Sequence, residues 1–359
     1  MTLSKMKLAH SCAISLSSEP AYVLNFAFQE HNAGGRVAVA VSCTHEIKLY
    51  NLETFCTEGV LSGHTSTISC VAFDIKKPKI VWSASLDGTL RSWDISNAEK
   101  KSSIISNLSI GYSALGISCD GALLVAGTEK DEESEEVMVE VWDIRNSEER
   151  SPKKLAVFKD IHSDDITKIL FHPSNPKVVG IGSTDGLVNI LDLTTYDEDD
   201  SLTQTLNTEL SVCTFGFFGT ASEFMFVLTD METLQIWNYM EAKLMVSCDD
   251  LLKKAKSINY IIDCFYHELS QRLFLVGGTK SGDIEIFHVN VDVIEPFQVL
   301  QGGHSSIIRC FVYAKQYFLT GAEDGMMCAW MPMNDSPSPK ITLKDLKIKK
   351  KKKKKPYNV

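Results

Sequence analysis

Seven times along this chain an alternating apolar run ends in a large apolar residue, in most cases followed by a short polar one. The endings are Tyr50-Asn51, Trp93-Asp94, Trp142-Asp143, Leu191-Asp192, Trp237-Asn238, Phe287-His288 and Trp330-Met331. Successive spacings are 43, 49, 49, 46, 50 and 43 residues. Such a period marks a repeat in which no unit buries its apolar face alone, and about 40–45 residues suits one four-stranded propeller blade. All 359 residues then belong mostly to one closed ring, because all-β folds of this type stay single beyond the usual domain length.

The clearest unit runs from Gly63-His64 to Trp93-Asp94. It holds Thr67-Ile68-Ser69-Cys70-Val71-Ala72-Phe73, Ile80-Val81-Trp82-Ser83-Ala84-Ser85 and Thr89-Leu90-Arg91-Ser92-Trp93, with Asp87-Gly88 before the last run. Period-two alternation in β-branched and aromatic residues predicts strands, and Asp-Gly predicts the tight hairpin between two of them. The frame returns from His162 through Asp185-Gly186 to Leu191-Asp192, again 29 residues from His to the closing apolar residue. A third copy runs from Gly303-His304 through Asp324-Gly325 to Trp330. The first, third, fifth and sixth units lack the Gly-His pair and are placed by strand pattern and spacing.

With its Gly-His, Asp-Gly and Trp-Asp frame, the sequence resembles the WD-repeat family, over roughly residues 5–333. That resemblance implies an all-β, seven-bladed propeller. It also implies a hydrogen-bonded tetrad within a blade: His64, Ser83 or Ser85, Asp87 and Trp93, and, more loosely, His304, Thr320, Asp324 and Trp330. His162 and Asp185 belong to an incomplete version, since Leu191 stands where the indole would be. Blades are expected near 20–54, 55–97, 98–150, 151–200, 201–250, 251–294 and 295–334. The last unit stops one strand short, and the strand-like segment within 5–17 is expected to complete it, removing an exposed sheet edge.

Charge divides the chain. Residues 340–359 carry ten lysines and one acid, so the remaining 339 residues hold a net charge of −19. An acidic body disfavours direct nucleic-acid binding by the propeller and favours basic partners. No apolar run reaches the roughly 20 residues of a membrane-spanning helix. Met1 to Pro20 has no sustained apolar core, so no secretory signal is expected. The ten cysteines show neither C-x-x-C pairs nor zinc spacing and read as buried free thiols of an intracellular protein.

Four features invite a functional reading. The histidines His64, His162 and His304 and the turn aspartates Asp87, Asp185 and Asp324 could be taken for catalytic or metal-binding groups, but satisfied buried polar residues are the ordinary case. No nucleophile constellation or phosphate loop stands out, so neither catalysis nor a cofactor, a metal or a small-molecule substrate is expected. Trp142-Asp143-Ile144-Arg145 resembles the W-D-x-R motif by which some WD-repeat proteins dock, as substrate receptors, onto the adaptor of cullin-RING ubiquitin ligases. Arg145 could make a bidentate carboxylate contact there.

The acidic runs Asp131-Glu132-Glu133-Ser134-Glu135-Glu136 and Asp197-Glu198-Asp199-Asp200 are solvated loops or docking faces for basic tails, such as those of ribosomal proteins or histones. The lysines Lys347, Lys349, Lys350, Lys351, Lys352, Lys353, Lys354 and Lys355 end a segment, 335–359, too charged to pack. They suit nuclear or nucleolar targeting, contact with RNA or acidic lipid, or a passively solvated end, so the expected location is the nucleus or nucleolus with the cytoplasm as the alternative. The leading expectation is a non-catalytic protein-binding scaffold, one copy within a complex, in nuclear or nucleolar ribosome assembly. The alternative is a ligase substrate receptor.

Overall fold

The computed structural model describes residues 3–14, 21–29, 35–42, 44–96, 102–145, 151–290, 293–314 and 317–333. The lysine tail lies outside them. The described strands form seven antiparallel sheets of four. Blades 1 to 6 cover residues 23–61, 68–107, 112–158, 166–207, 212–248 and 260–300. Blade 7 joins three strands between 308 and 332 to the N-terminal strand Met6–Ala13.

That closure runs the length of the strand, with one register shift between Leu8 and His10. Met6 pairs with Pro332 and Ala13 with Met326, while Ile14 N–H donates to Gly325 O (2.8 Å) and Met333 N–H to Lys5 O (2.7 Å). In blades 1 to 6 the strand after each closing apolar pair completes the sheet it follows. Residues 55–97 therefore contain the rim strand of blade 1, Thr57–Leu61, and three strands of blade 2. Repeat and sheet are thus out of phase: the segments 55–97, 98–150, 151–200, 201–250 and 295–334 each hold strands of two neighbouring blades, whereas 20–54 and 251–294 hold strands of one.

Position in the blade explains strand composition. Second strands are packed between neighbouring blades on both faces, and Arg36–Val41 (RVAVAV) is buried at every position after its arginine. Rim strands alternate toward solvent, as in Thr57–Leu61. Both patterns follow from whether one or two faces must leave water.

Each innermost strand carries a register shift near its start, at Leu24, Ser69, Ser113, Thr167, Cys213, Ile262 and Arg309. A bulge redirects the extra residue, and all seven line a central channel of about 450 Å³. The loops before each first strand and between second and third strands share the upper face, where His64 meets Asp87 and His162 meets Asp185. The other turns form the lower face. Gly88, in the predicted hairpin, has φ +76°, where an L-residue is strained.

Candidate functional site

The sequence-expected polar residues converge first inside blade 2. Trp93 Nε1 donates to Ser83 Oγ (2.8 Å), Ser83 Oγ lies 2.7 Å from His64 Nε2, and His64 Nδ1 lies 2.8 Å from Asp87 Oδ2. An indole only donates, so Ser83 accepts from it and passes its own hydrogen to Nε2. Nδ1 then carries the proton and donates to the carboxylate. Burial lowers the pKa of His64 against the opposing pull of Asp87, which keeps the imidazole in that neutral form. Burial raises the pKa of Asp87, but bonds from Thr89, Thr65 and His64 outweigh it and the net shift is downward. Of the two candidate serines, Ser83 is the member; Ser85 Oγ donates to Thr67 O (2.9 Å) and accepts from Asp87 N–H (3.2 Å).

Blade 7 repeats the arrangement: Trp330 Nε1 donates to Thr320 Oγ1 (2.9 Å), which lies 2.8 Å from His304 Nε2, with Asp324 Oδ1 3.3 Å from Nδ1. In blade 4, His162 keeps Asp185 at 2.9 Å. With Leu191 replacing the indole, His162 Nε2 faces Ile181 O (3.2 Å). These residues fasten loops to strands, with each imidazole occupied on both sides.

Sequence reasoning missed the locks of blades 3 and 5. In blade 3 the carboxylate of Glu140, 1% exposed, accepts from Tyr112 Oη (2.6 Å), Trp142 Nε1 (3.2 Å) and Lys154 Nζ (2.5 Å). In blade 5, Trp237 Nε1 donates to Gln235 Oε1 (3.0 Å), and Gln235 Nε2 to Thr208 O (3.1 Å). The available signal was a polar residue two places before the closing tryptophan in an otherwise apolar strand, since such a group must be paired when buried.

Five of the seven bulge residues that line the channel are Ser, Thr, Cys or Arg, the others being Leu24 and Ile262. Ser69 Oγ donates to Tyr112 O (2.6 Å) and Ser113 Oγ to Ile166 O (2.6 Å), each joining one blade to the next. Lys168 Nζ donates to Thr214 Oγ1 (2.6 Å) and lies 3.3 Å from Asp263 Oδ2, tying blades 4, 5 and 6 together. Burial pushes the Cys70 thiol up to about 11, so it stays protonated and weakly nucleophilic. Among the described residues no group of three His, Cys, Asp or Glu is placed to hold a metal ion, and no helix is long and apolar enough to cross a membrane.

Two surface features remain. On the upper face of blade 3, the 131–136 loop is folded upon itself: Asp131 N–H donates to Glu136 O, Glu135 N–H to Asp131 O, and Ser134 Oγ to Asp131 Oδ2. At the base of the loop Lys130 N–H donates to Asp165 Oδ1 (2.7 Å), and Glu136 is paired with Lys159 Nζ (2.7 Å); the preceding Glu129 has its pKa raised by burial and by Asp165. The second acidic run forms a one-turn helix, Glu198–Ser201, in which Glu198 accepts from the backbone of Lys159 and Asp160. On the lower face, Trp142 is buried and Arg145 is 67% exposed in its side chain, its guanidinium held by Asp143 (2.5 Å).

Comparison with known proteins places this geometry. The family model described as "WD domain, G-beta repeat" matches residues 55–94, the repeat containing the complete blade 2 tetrad. The chain is 30% identical to the WD repeat-containing protein GTS1 of Arabidopsis thaliana, over 89% of this chain and 86% of that one. The chain belongs to the WD-repeat family. This WD-repeat propeller is also 28% identical to the WD repeat-containing protein 89 homolog of Dictyostelium discoideum, over 96% of its own length and 94% of the relative's. Such alignments run the length of the ring, through the blades in which the tetrad is altered as well as those in which it is intact.

Proposed function

We propose that this WD-repeat propeller is a non-catalytic scaffold that captures basic segments of partner proteins on its upper face, in nuclear or nucleolar assembly. The observation that carries the reading is the folded acidic loop at 131–136, anchored at its base by Lys130 N–H on Asp165. Its backbone is held by internal hydrogen bonds, so little ordering is needed on binding. Its carboxylates oppose a lysine- or arginine-rich chain and speed encounter. The lysines from Lys347 to Lys355 supply the targeting signal in this reading.

The test replaces Asp131, Glu132, Glu133, Glu135 and Glu136 with serine in the full chain and compares co-purified proteins by quantitative mass spectrometry. Loss of lysine-rich partners is expected; an unchanged partner set sinks the reading. Attaching residues 336–359 to a fluorescent protein tests the tail separately, and a diffuse cytoplasmic signal rejects targeting.

A second reading, a substrate receptor of a cullin-RING ligase, is favoured by the exposed guanidinium of Arg145 at the lower-face corner. Recovery of the ligase adaptor by the native chain and its loss in Arg145→Ala is the expected result under that reading.

A further inference from the structure

On the rim, away from the blade locks and the acidic loop at 131–136, two reactive side chains stand in contact: Lys254 Nζ donates to Cys248 Sγ at 3.0 Å. Both line a groove of about 560 Å³ between blades 5 and 6, where small solutes can reach them.

The backbone sets the pair. Cys248 is the last residue of the blade 5 rim strand Lys243–Cys248 and is opposite Leu234. Two residues later Asp250 takes φ +57°, the left-handed region found where a chain turns sharply. The one-turn helix Leu251–Lys254 follows and ends at the lysine. That turn is pinned: Leu251 is fully buried, Ala255 and Ile258 nearly so, and Ala255 N–H donates to Leu251 O (2.8 Å). Reaching Sγ therefore orders only the Lys254 side chain.

The carboxylates next to the pair have other partners. Asp249 accepts from Ser247 Oγ (2.9 Å) and Asp250 is with Lys253 (2.8 Å). The Cys248 contact, followed by the fields of Asp249 and Asp250, raises the pKa of Lys254 above the ordinary lysine value. Six other described thiols are withdrawn from reaction. Burial raises the pKa of Cys12, Cys70, Cys213, Cys264, Cys310 and Cys328, which keeps them protonated and slow to react. Cys248 is half-buried, with a primary amine against its sulfur.

A thiolate takes one oxygen from a peroxide to become a sulfenic acid, which condenses with a neighbouring nitrogen. We propose that Cys248 and Lys254 are an oxidative modification site, converted by hydrogen peroxide into a covalent Sγ–Nζ sulfenamide bridge. In the first step the Sγ electron pair attacks the peroxide; the S–O bond forms, the O–O bond breaks, and hydroxide leaves to become water. In the second, the neutral Lys254 amine attacks that sulfur. The S–N bond forms, the S–O bond breaks, and the hydroxyl leaves as water with a proton from nitrogen. Sulfur gives up two electrons and the peroxide takes them, so one thiol, one amine and one peroxide become one sulfenamide and two waters. An amine held at contact has an effective concentration far above that of a second peroxide at about 0.1 mM, so the bridge forms ahead of sulfinic acid. It closes residues 248–254 into a covalent ring and removes one cation from the groove wall. The site is independent of the acidic upper face and stands or falls without it.

The test treats the full chain with about 0.1 mM hydrogen peroxide between about pH 7 and 9, without added thiol, and maps its peptides by tandem mass spectrometry. The expected product is a Cys248–Lys254 cross-link, about 2 Da lighter than the two free side chains and reversed by dithiothreitol. Its yield should rise with pH as the amine loses its proton. Cys248→Ser should abolish it. Lys254→Arg keeps the cation without a primary amine and should carry Cys248 on to sulfinic acid. An unchanged circular dichroism spectrum and unfolding midpoint confirm the fold of each variant.

The proposal is overturned if Cys248 of the treated native chain is recovered as the thiol, as sulfinic acid or in a disulfide with another cysteine. It is likewise overturned if Lys254→Arg gives the same products as the native chain. A bridge that retains the oxygen, about 14 Da heavier than the free pair, overturns the Sγ–Nζ bond.

Discussion

Replacing Ser83 with alanine isolates the central bond of the blade 2 tetrad. Ser83 is fully buried and Trp93 nearly so. Losing Oγ leaves two partners, the indole N–H and His64 Nε2, at 2.8 and 2.7 Å from an atom that no longer exists. The void is one oxygen in size, too small to admit water. Each unsatisfied buried group costs about 1–3 kcal/mol, so the substitution should destabilise by about 2–4 kcal/mol. Ser85→Ala is the control. Its carbonyl partner, Thr67 O, keeps a bond from Leu86 N–H (2.9 Å), so about 1 kcal/mol is expected. Equilibrium urea unfolding followed by tryptophan fluorescence measures both, with the slope checked for constancy. A Ser83→Ala cost under about 0.5 kcal/mol, or a larger cost for Ser85→Ala, would refute the directional chain from indole to carboxylate.

Stability should fall as pH drops from 7 to 5. Burial lowers the pKa of His64, His172 and His267 in the fold, so the unfolded chain binds more protons below the ordinary histidine value of about 6.5. Their contribution is complete above that pH and is lost on acidification. Urea midpoints across this range should show it, and His64→Gln should flatten the profile; a flat native profile contradicts the neutral assignment. Gly88→Ala places a Cβ 2.1 Å from Leu108 O at φ +76° and should cost about 2 kcal/mol or more, read by the same assay; a neutral effect would place the turn elsewhere. Deleting residues 1–13 opens the outer edge of the strand Met326–Pro332, which stays paired only with Tyr317–Ala322, and should give oligomers by light scattering. A monomer with the native unfolding midpoint would show that closure does not depend on that strand.

The ring was legible because its determinants are local and recur. Alternation, Asp-Gly turns and the closing Trp or its substitute depend on neighbours a few residues away, and seven copies average out any one irregularity. N-terminal closure was legible by subtraction, since blade 7 lacked a strand. The phase between repeat and sheet was not, because strand pattern alone does not say which neighbour a rim strand joins. Glu140 escaped notice because its partners Tyr112 and Lys154 lie 28 and 14 residues away and carry no shared motif. Arg145 was legible as a motif, and the structure adds its exposure and its Asp143 partner.

The central claim, that this propeller works by holding basic protein segments on its upper acidic face, is tested most directly by zero-length carboxylate-to-amine cross-linking of the full chain with its co-purified partners, mapped by mass spectrometry. The account predicts cross-links from partner lysines to the carboxylates of residues 129–136 and to Asp165. Cross-links confined to the lower face, or none to the upper-face carboxylates when partners are plainly present, would contradict it.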